Sequence, residues 1–269
     1  MNREERLVLL INRLKEESTE YAHLPIPDNI NDKQKLLRAL MNVRAPQPIA
    51  DEWITLQDEE LQEQLAEKSV VDIDTLSRKG RYILWQGDIT RLNADAIVNA
   101  ANSRMLGCFA PLHGCIDNAI HSAAGVQLRL ACNSLMRNKG IPEPTGEAEI
   151  TPSFNLPSKY VIHTVGPIVY GDKPTLQDKR LLESCYRSCL ECAEANGLTS
   201  IAFCCISTGE FHYPNREAAE VALATVDKYF ADHHFSSINT VVFNVFKDLD
   251  LNIYSKLLKD DRKDFTQED

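Results

Sequence analysis

No stretch of this sequence approaches the roughly 18–20 continuous apolar residues that a membrane span needs, so no membrane partner is expected. Positive charge is also scarce. Lys and Arg number 29 against 39 Asp and Glu, a net charge of −10, which argues against non-specific binding to nucleic acid or to an anionic lipid surface. No GxxxxGK[ST] loop occurs, and no GxGxxG follows a strand candidate, so ATP hydrolysis and ordinary dinucleotide-dependent hydride transfer lose support. No internal repeat or low-complexity tract is visible. The opening run MNREERLVLLINRLKEE is amphipathic with acids in its first turn, where a signal peptide has an unbroken apolar stretch. A cytoplasmic location is therefore expected. There the eight cysteines read as reduced thiols, metal ligands or core fillers rather than as a disulfide framework.

What is present is ordinary globular composition, 43% hydrophobic and 25% charged over 269 residues. That length suits one substantial domain plus an appendage. Residues 1–75 read as an N-terminal helical extension. Leu7, Leu10, Ile11 and Leu14 form one apolar face, a second helix is expected from Asp32 to Val43, and a third from Asp58 to Glu67. Residues 76–269 read as an α/β domain. Strands are expected at Tyr82–Trp85, Ala96–Asn99, Glu147–Ile150, Tyr160–Thr164, Ile201–Cys205 and Thr240–Phe246. Helices are expected at Ile116–Ala124, Gln127–Asn138, Leu176–Ala195, Arg216–Phe230 and Leu249–Leu258. Strands separated by helices imply crossover connections and a largely parallel sheet covered on both faces. Cys185, Cys189 and Cys192 follow i, i+4, i+7 spacing beside Leu182, the buried stripe of a helix in which cysteine packs as a small hydrophobe.

In such sheets ligands bind beyond the carboxyl ends of the strands, so the loops there carry the functional reading. Gly87-Asp88-Ile89-Thr90 follows the first strand, and Asn99-Ala100-Ala101-Asn102 ends the second. Ser207-Thr208-Gly209-Glu210-Phe211-His212-Tyr213-Pro214 follows the fifth and runs straight into a helix, where free backbone N–H groups and the positive helix end suit a phosphate.

Together these loops resemble the macrodomain family of ADP-ribose-binding modules. The matching pieces are Gly87–Thr90, Asp95–Asn102, Ile116–Gly125, Val161–Pro167 and Ser207–Gly209, in the family's order and spanning roughly residues 80–260. The resemblance implies a mixed, largely parallel sheet of about six strands between helices. It assigns Asp88 to the adenine amino group and the Ile89 N–H to the base. It sets Asn102 at the distal ribose, the backbone of Ser207, Thr208, Gly209 and Glu210 around the diphosphate, and Phe211 or Tyr213 against the distal sugar. A turn or cap acid is the plainer reading of Asp88, since Asp favours such turns.

Between Asn102 and Asp117 the sequence departs from the family's glycine-rich loop and carries Cys108, His113 and Cys115, a C-x4-H-x-C cluster. Two thiolates and an imidazole suit zinc, and three protein ligands leave a fourth tetrahedral position open, as in catalytic rather than structural sites. Cys115 also begins a helix, whose positive end is expected to lower its thiol pKa. The cluster resembles the zinc-containing microbial subgroup, which likewise has an N-terminal helical extension. By that resemblance, the expectation is an enzyme holding one zinc per chain. It removes mono-ADP-ribose from modified protein side chains, acidic ones by expectation, and releases ADP-ribose. Asn102, Cys108, His113 and Cys115 are the catalytic candidates. The alternatives are a non-catalytic ADP-ribose reader, an O-acetyl-ADP-ribose deacetylase, or a structural zinc with one more ligand from a distant loop. His121 and His163 read as structural histidines, and His233 and His234 as surface.

Overall fold

The computed structural model describes residues 1–171 and 173–260, so the last nine residues of the expected 76–269 domain lie outside it. Three helices come first: α1 (Arg3–Glu16), α2 (Ile30–Val43) and α3 (Asp51–Lys68). Asn2 and Glu5 cap α1 reciprocally, and the Asn29 side chain caps α2 through Asp32 N–H, which is why α2 begins two residues before the expected Asp32. The third helix starts seven residues earlier than expected, because Trp53 belongs to it. Its ring is buried, and its Nε1 donates to the Leu10 carbonyl at 3.2 Å. The unit has a core of its own, with Leu7, Leu10, Ile11, Leu37, Leu40 and Trp53 packed together and Val126 joining from the main domain. Glu60, fully buried, is compensated by Arg3, Arg6, Gln34 and Gln64, as a buried carboxylate must be.

The main domain is one sheet of seven strands: β1 (Arg78–Lys79), β2 (Tyr82–Gln86), β3 (Ala96–Ala101), β4 (Ala148–Pro152), β5 (Tyr160–Val165), β6 (Ser200–Phe203) and β7 (Thr240–Val245). Six were expected. The seventh, β1, is a two-residue antiparallel edge whose Arg-Lys pair carries no hydrophobic alternation. The order is β1-β2-β7-β6-β3-β5-β4. The five central strands run parallel, and only the two edge strands are antiparallel. Both faces are covered, which explains why β6 and β7 are buried at every position and read as continuous apolar runs. β6 stops at Phe203, so Cys204 and Cys205 begin the following loop instead of ending the strand.

The covering helices are α4 (Ile116–Ala124), α5 (Val126–Lys139), α6 (Leu176–Ala195), α7 (Asn215–Asp232) and α8 (Asp248–Asp260). The expected stripe of α6 is realised: Leu182, Cys185 and Cys189 are fully buried, and Cys192 is half-buried at its margin. The first helical unit docks where α2 meets α4. α3 docks as well, with Gln57 and Asp58 bonded to Gln127 and Asn155, and it is the α2–α4 contact that borders the site.

Candidate functional site

A cleft of about 1000 Å³ opens where the parallel strands end, the size range of a ligand pocket. Its walls come from the carboxyl ends of β2, β3, β6 and β7 and from the irregular segment between β3 and α4. Every candidate residue in those loops lines it except Tyr213: Asp88, Ile89, Asn102, Cys108, His113, Cys115, Ser207, Thr208, Gly209, Glu210 and Phe211. The Tyr213 ring is 2% exposed and belongs to the hydrophobic core, while Phe211, two residues earlier, faces the cleft.

Asp88 is both a turn cap and a cleft residue. Its Oδ1 accepts from Thr90 N at 3.1 Å and Thr90 Oγ1 at 2.6 Å, and its Oδ2 stands 3.4 Å from Lys68 Nζ. Burial opposes ionisation, but the Thr90 hydrogen bonds and the Lys68 charge outweigh it and hold the carboxyl below the usual range. The group is therefore an acceptor only.

Asn102 is held from below. Its Nδ2 donates to Asp117 Oδ2 and to the Gly107 carbonyl, both at 3.3 Å, and its Oδ1 accepts from Arg104 N at 3.0 Å. Asp117 also accepts from Asn99 Nδ2 at 2.8 Å. Burial raises the Asp117 carboxyl to about 6 despite those donors and Arg129. Gly107 has φ +79°, and a Cβ there meets the His121 ring at 2.8 Å, so only glycine fits where the segment turns over the buried imidazole.

The loop after β6 turns on its own backbone, with Thr208 N bonded to Cys205 O, His212 N to Gly209 O, and Tyr213 N to Ser207 O. That leaves Gly209 and Glu210 at the exposed tip, where a Cβ on Gly209 meets nothing within 4 Å.

Cys108, His113 and Cys115 converge on the cleft wall with their ligand atoms all within 4.8 Å of one another. Cys108 Sγ lies 3.6 Å from His113 Nδ1. A tetrahedral zinc with bonds of about 2.3 Å to sulfur and about 2.0–2.1 Å to nitrogen separates those two atoms by about 3.6 Å. The donor set and its spacing fit such an ion. All three residues are half-buried, hence reachable from the cleft. Among the described residues a second group, His121, Cys132 and His163, is sealed in the core. His163 Nε2 there is already engaged by Thr151 Oγ1 at 2.9 Å, which agrees with the structural reading of that histidine.

One expectation is overturned. Cys115 does cap α4, accepting from Asn118 N at 3.4 Å, but its thiol pKa is raised, not lowered. Burial dominates, and although the Asn118 N–H works against it, Cys108 and Asp117 add to the rise, which takes the thiol to about 12. A cation bound beside the sulfur is what such a thiol needs in order to ionise.

Sequence reasoning missed two contributions to the cleft. Asn244, Phe246, Lys247 and Asp250 line it from the β7–α8 junction, which the strand-end rule pointed to all along. Arg38 reaches it from α2, and no local pattern announces that.

The Macro domain family model matches residues 98–222. A protein-ADP-ribose hydrolase from Treponema medium is 48% identical over 263 residues, spanning 96% of this chain and 100% of that protein. The chain belongs to the macrodomain family. A protein-ADP-ribose hydrolase from Staphylococcus aureus strain MRSA252 is 46% identical over 258 residues, 95% of this macrodomain and 96% of the relative. The crystal structure of a Trypanosoma brucei macrodomain in complex with ADP-ribose is 30% identical, with a TM-score of 0.62, covering 82% of this chain and 94% of that one. The matches to the two hydrolases cover 96% and 95% of this chain and so run through its N-terminal helices as well as its sheet.

Proposed function

We propose that this macrodomain is a zinc-dependent hydrolase that releases ADP-ribose from mono-ADP-ribosylated protein side chains, acidic residues foremost. The observation that carries the reading is the convergence of Cys108, His113 and Cys115 on the wall of the cleft, beside Asn102. Recognition of adenine and phosphate needs no such cluster, and the relatives named as hydrolases support the enzymatic reading. In this reading Asp88 accepts from the adenine amino group and the Ile89 N–H binds the base. The backbone of Ser207, Thr208, Gly209 and Glu210 cradles the diphosphate, and Phe211 packs against the distal sugar.

Cys108, His113 and Cys115 hold one zinc per chain. When bound, zinc supplies a Lewis-acid centre next to the glycosidic ester that is broken. Asn102, fixed by Asp117, offers donor and acceptor to the distal ribose hydroxyls and sets the anomeric carbon against the metal loop. The proposed partners are ADP-ribose and the modified protein. The eight free cysteines support a cytoplasmic setting. None of the helices among the described residues is long and apolar enough to cross a membrane.

The test is incubation of a mono-ADP-ribosylated protein with the enzyme, with and without chelator, following free ADP-ribose. Release that stops with chelator and returns with zinc is expected. Binding of ADP-ribose without release supports the reader alternative, and release indifferent to chelator removes the metal from the mechanism.

A further inference from the structure

The segment that carries Cys108, His113 and Cys115 is irregular from Asn102 to the start of α4, with no strand or helix to set its shape. Leu112, next to the histidine, has φ +55° without being glycine. Such a conformation persists only where the surroundings over-determine it. They do so from α2. The Leu112 N–H donates to Asn42 Oδ1 at 3.0 Å, and Asn42 Nδ2 donates to Ser122 Oγ on α4 at 2.9 Å. One helical turn earlier on the same face of α2, Arg38 Nη2 donates to the His113 carbonyl at 3.4 Å and to Asn118 Oδ1 at 2.7 Å. Arg38 Nε reaches Ser122 Oγ at 3.2 Å. Asn118 passes the constraint on, donating to the Ala110 carbonyl at 2.9 Å and, through its N–H, to the Cys115 sulfur. Arg129 ties the other end: it donates to the Met41, Asn42 and Arg44 carbonyls and to the Leu106 carbonyl at 2.6 Å, with Cys108 O at 3.5 Å.

We infer that Arg38 and Asn42 are positioning residues for the metal cluster: the N-terminal helical unit sets the spacing of Cys108, His113 and Cys115 by holding the Leu112 N–H and the His113 carbonyl. The unit supplies no metal ligand, yet it governs how tightly the metal is held. The inference rests on the metal-dependent reading above. It gives the first 75 residues a function within the site, because the groups that hold the Leu112 N–H and the His113 carbonyl come from a helix whose own core is separate from the sheet's.

The experiment uses the full chain as Arg38→Ala, Arg38→Lys, Asn42→Ala and the unaltered protein. It measures zinc affinity by competition with a chromophoric chelator, ADP-ribose affinity by calorimetry, thermal melting, and kcat and KM at limiting and saturating zinc. Arg38→Ala and Asn42→Ala are each expected to weaken zinc binding by roughly 10–100-fold while ADP-ribose affinity changes far less. Saturating zinc restores much of kcat, and Arg38→Lys, which keeps a donor for Asn118, falls between Ala and Arg. Asn42 is 1% exposed and its removal can cost the fold, whereas half-buried Arg38 tolerates truncation, so Arg38→Ala decides if Asn42→Ala does not melt cooperatively. Wild-type zinc affinity in a cooperatively melting Arg38→Ala overturns the inference alone, provided the unaltered enzyme is chelator-sensitive. An unaltered enzyme that neither binds zinc nor responds to chelator overturns the metal-dependent reading and the inference with it.

Discussion

Glu210 Oε1 stands 3.6 Å from His113 Nε2, while the other nitrogen of the same imidazole faces Cys108 Sγ. The loop after β6 and the Cys108–Cys115 segment, about a hundred residues apart in sequence, therefore meet at one ring. A carboxylate beside the distal nitrogen of a ligating histidine fixes the tautomer and raises the basicity of the ligand. With zinc on His113, Glu210 would have a second task besides the proposed one of offering its backbone to the diphosphate. Glu210→Gln keeps the backbone and the shape but removes the charge. Zinc affinity in this variant is expected to fall by roughly tenfold, with ADP-ribose affinity nearly unchanged. Equal zinc affinity in a chelator competition shows that the carboxylate does not support the ligand.

The double engagement of Asp88 makes its substitution readable in two ways. Asp88→Ala removes an acceptor from the cleft and also the cap on Thr90 N and Oγ1. Asp88→Asn keeps an oxygen for the cap and removes the charge. The Ala variant is expected to lose both ADP-ribose affinity, by about 0.5–3 kcal/mol, and some thermal stability. The Asn variant should keep the melting temperature and lose part of the affinity. Zinc content should stay constant in both, because Asp88 is not part of the Cys108, His113 and Cys115 cluster. Unchanged calorimetric affinity in both variants removes Asp88 from the adenine site.

Where the sequence was legible, periodicity and loop position carried the information. The five helices of the main domain were visible because their apolar residues recur at helical spacing, and α4 and α6 match their expected bounds. The C-x4-H-x-C cluster was visible because its three residues are local in sequence, and the structure brings them together. Of the two aromatics offered for the distal sugar, Phe211 lines the cleft and Tyr213 does not. The loop returns to the core there, with Tyr213 N bonded to Ser207 O, and that turn has no signature among the surrounding residues. The β1 edge has too few residues to show alternation. Arg38 and Asn42 were unreadable for a different reason. They sit on a helix whose charges look solvated, and only the docking of α2 against α4 turns them toward the metal segment.

Acid stability should be tied to Asp95. Its Oδ2 accepts from Thr199 N at 2.8 Å and Thr199 Oγ1 at 2.7 Å, and its Oδ1 lies 2.7 Å from Lys159 Nζ. Burial raises this carboxyl, but the Lys159 charge and the Thr199 donors win and bring it down from 3.8 to about 2. A depressed carboxyl stabilises the fold above its unfolded-state value, and the contribution disappears as pH falls through the folded one. The window is thus about pH 4 down to about 2. Since Lys159 is largely exposed and screened, the contribution is on the order of 1 kcal/mol rather than the full shift. Urea midpoints of the unaltered protein should fall more steeply across that window than those of Asp95→Asn. Parallel curves show that Asp95 is not the group responsible.

The ligand set itself gives the sharpest division between a working metal and a structural one. Cys115→Ala leaves Cys108 and His113, two ligands where a stable zinc site needs at least three. Zinc content and release of ADP-ribose from a modified protein should therefore fall together. The fold should not fall with them. The sheet's core and the separate core of α1, α2 and α3 both form without any of the three ligands. This differs from a zinc finger, whose folding free energy is largely its metal-binding free energy. The segment stays tethered through Arg38, Asn42 and Arg129, which hold its backbone and not its sulfurs. Free ADP-ribose should still bind, because Asp88 and the Ser207–Glu210 loop lie on other strands' ends. Three measurements on one preparation decide among these outcomes: elemental zinc, the thermal melt, and ADP-ribose release. Full release from a verified zinc-free variant sinks the catalytic role of the metal. Loss of the cooperative melt together with the zinc makes the site structural, and then the strain at Leu112 is held by the ion rather than by α2.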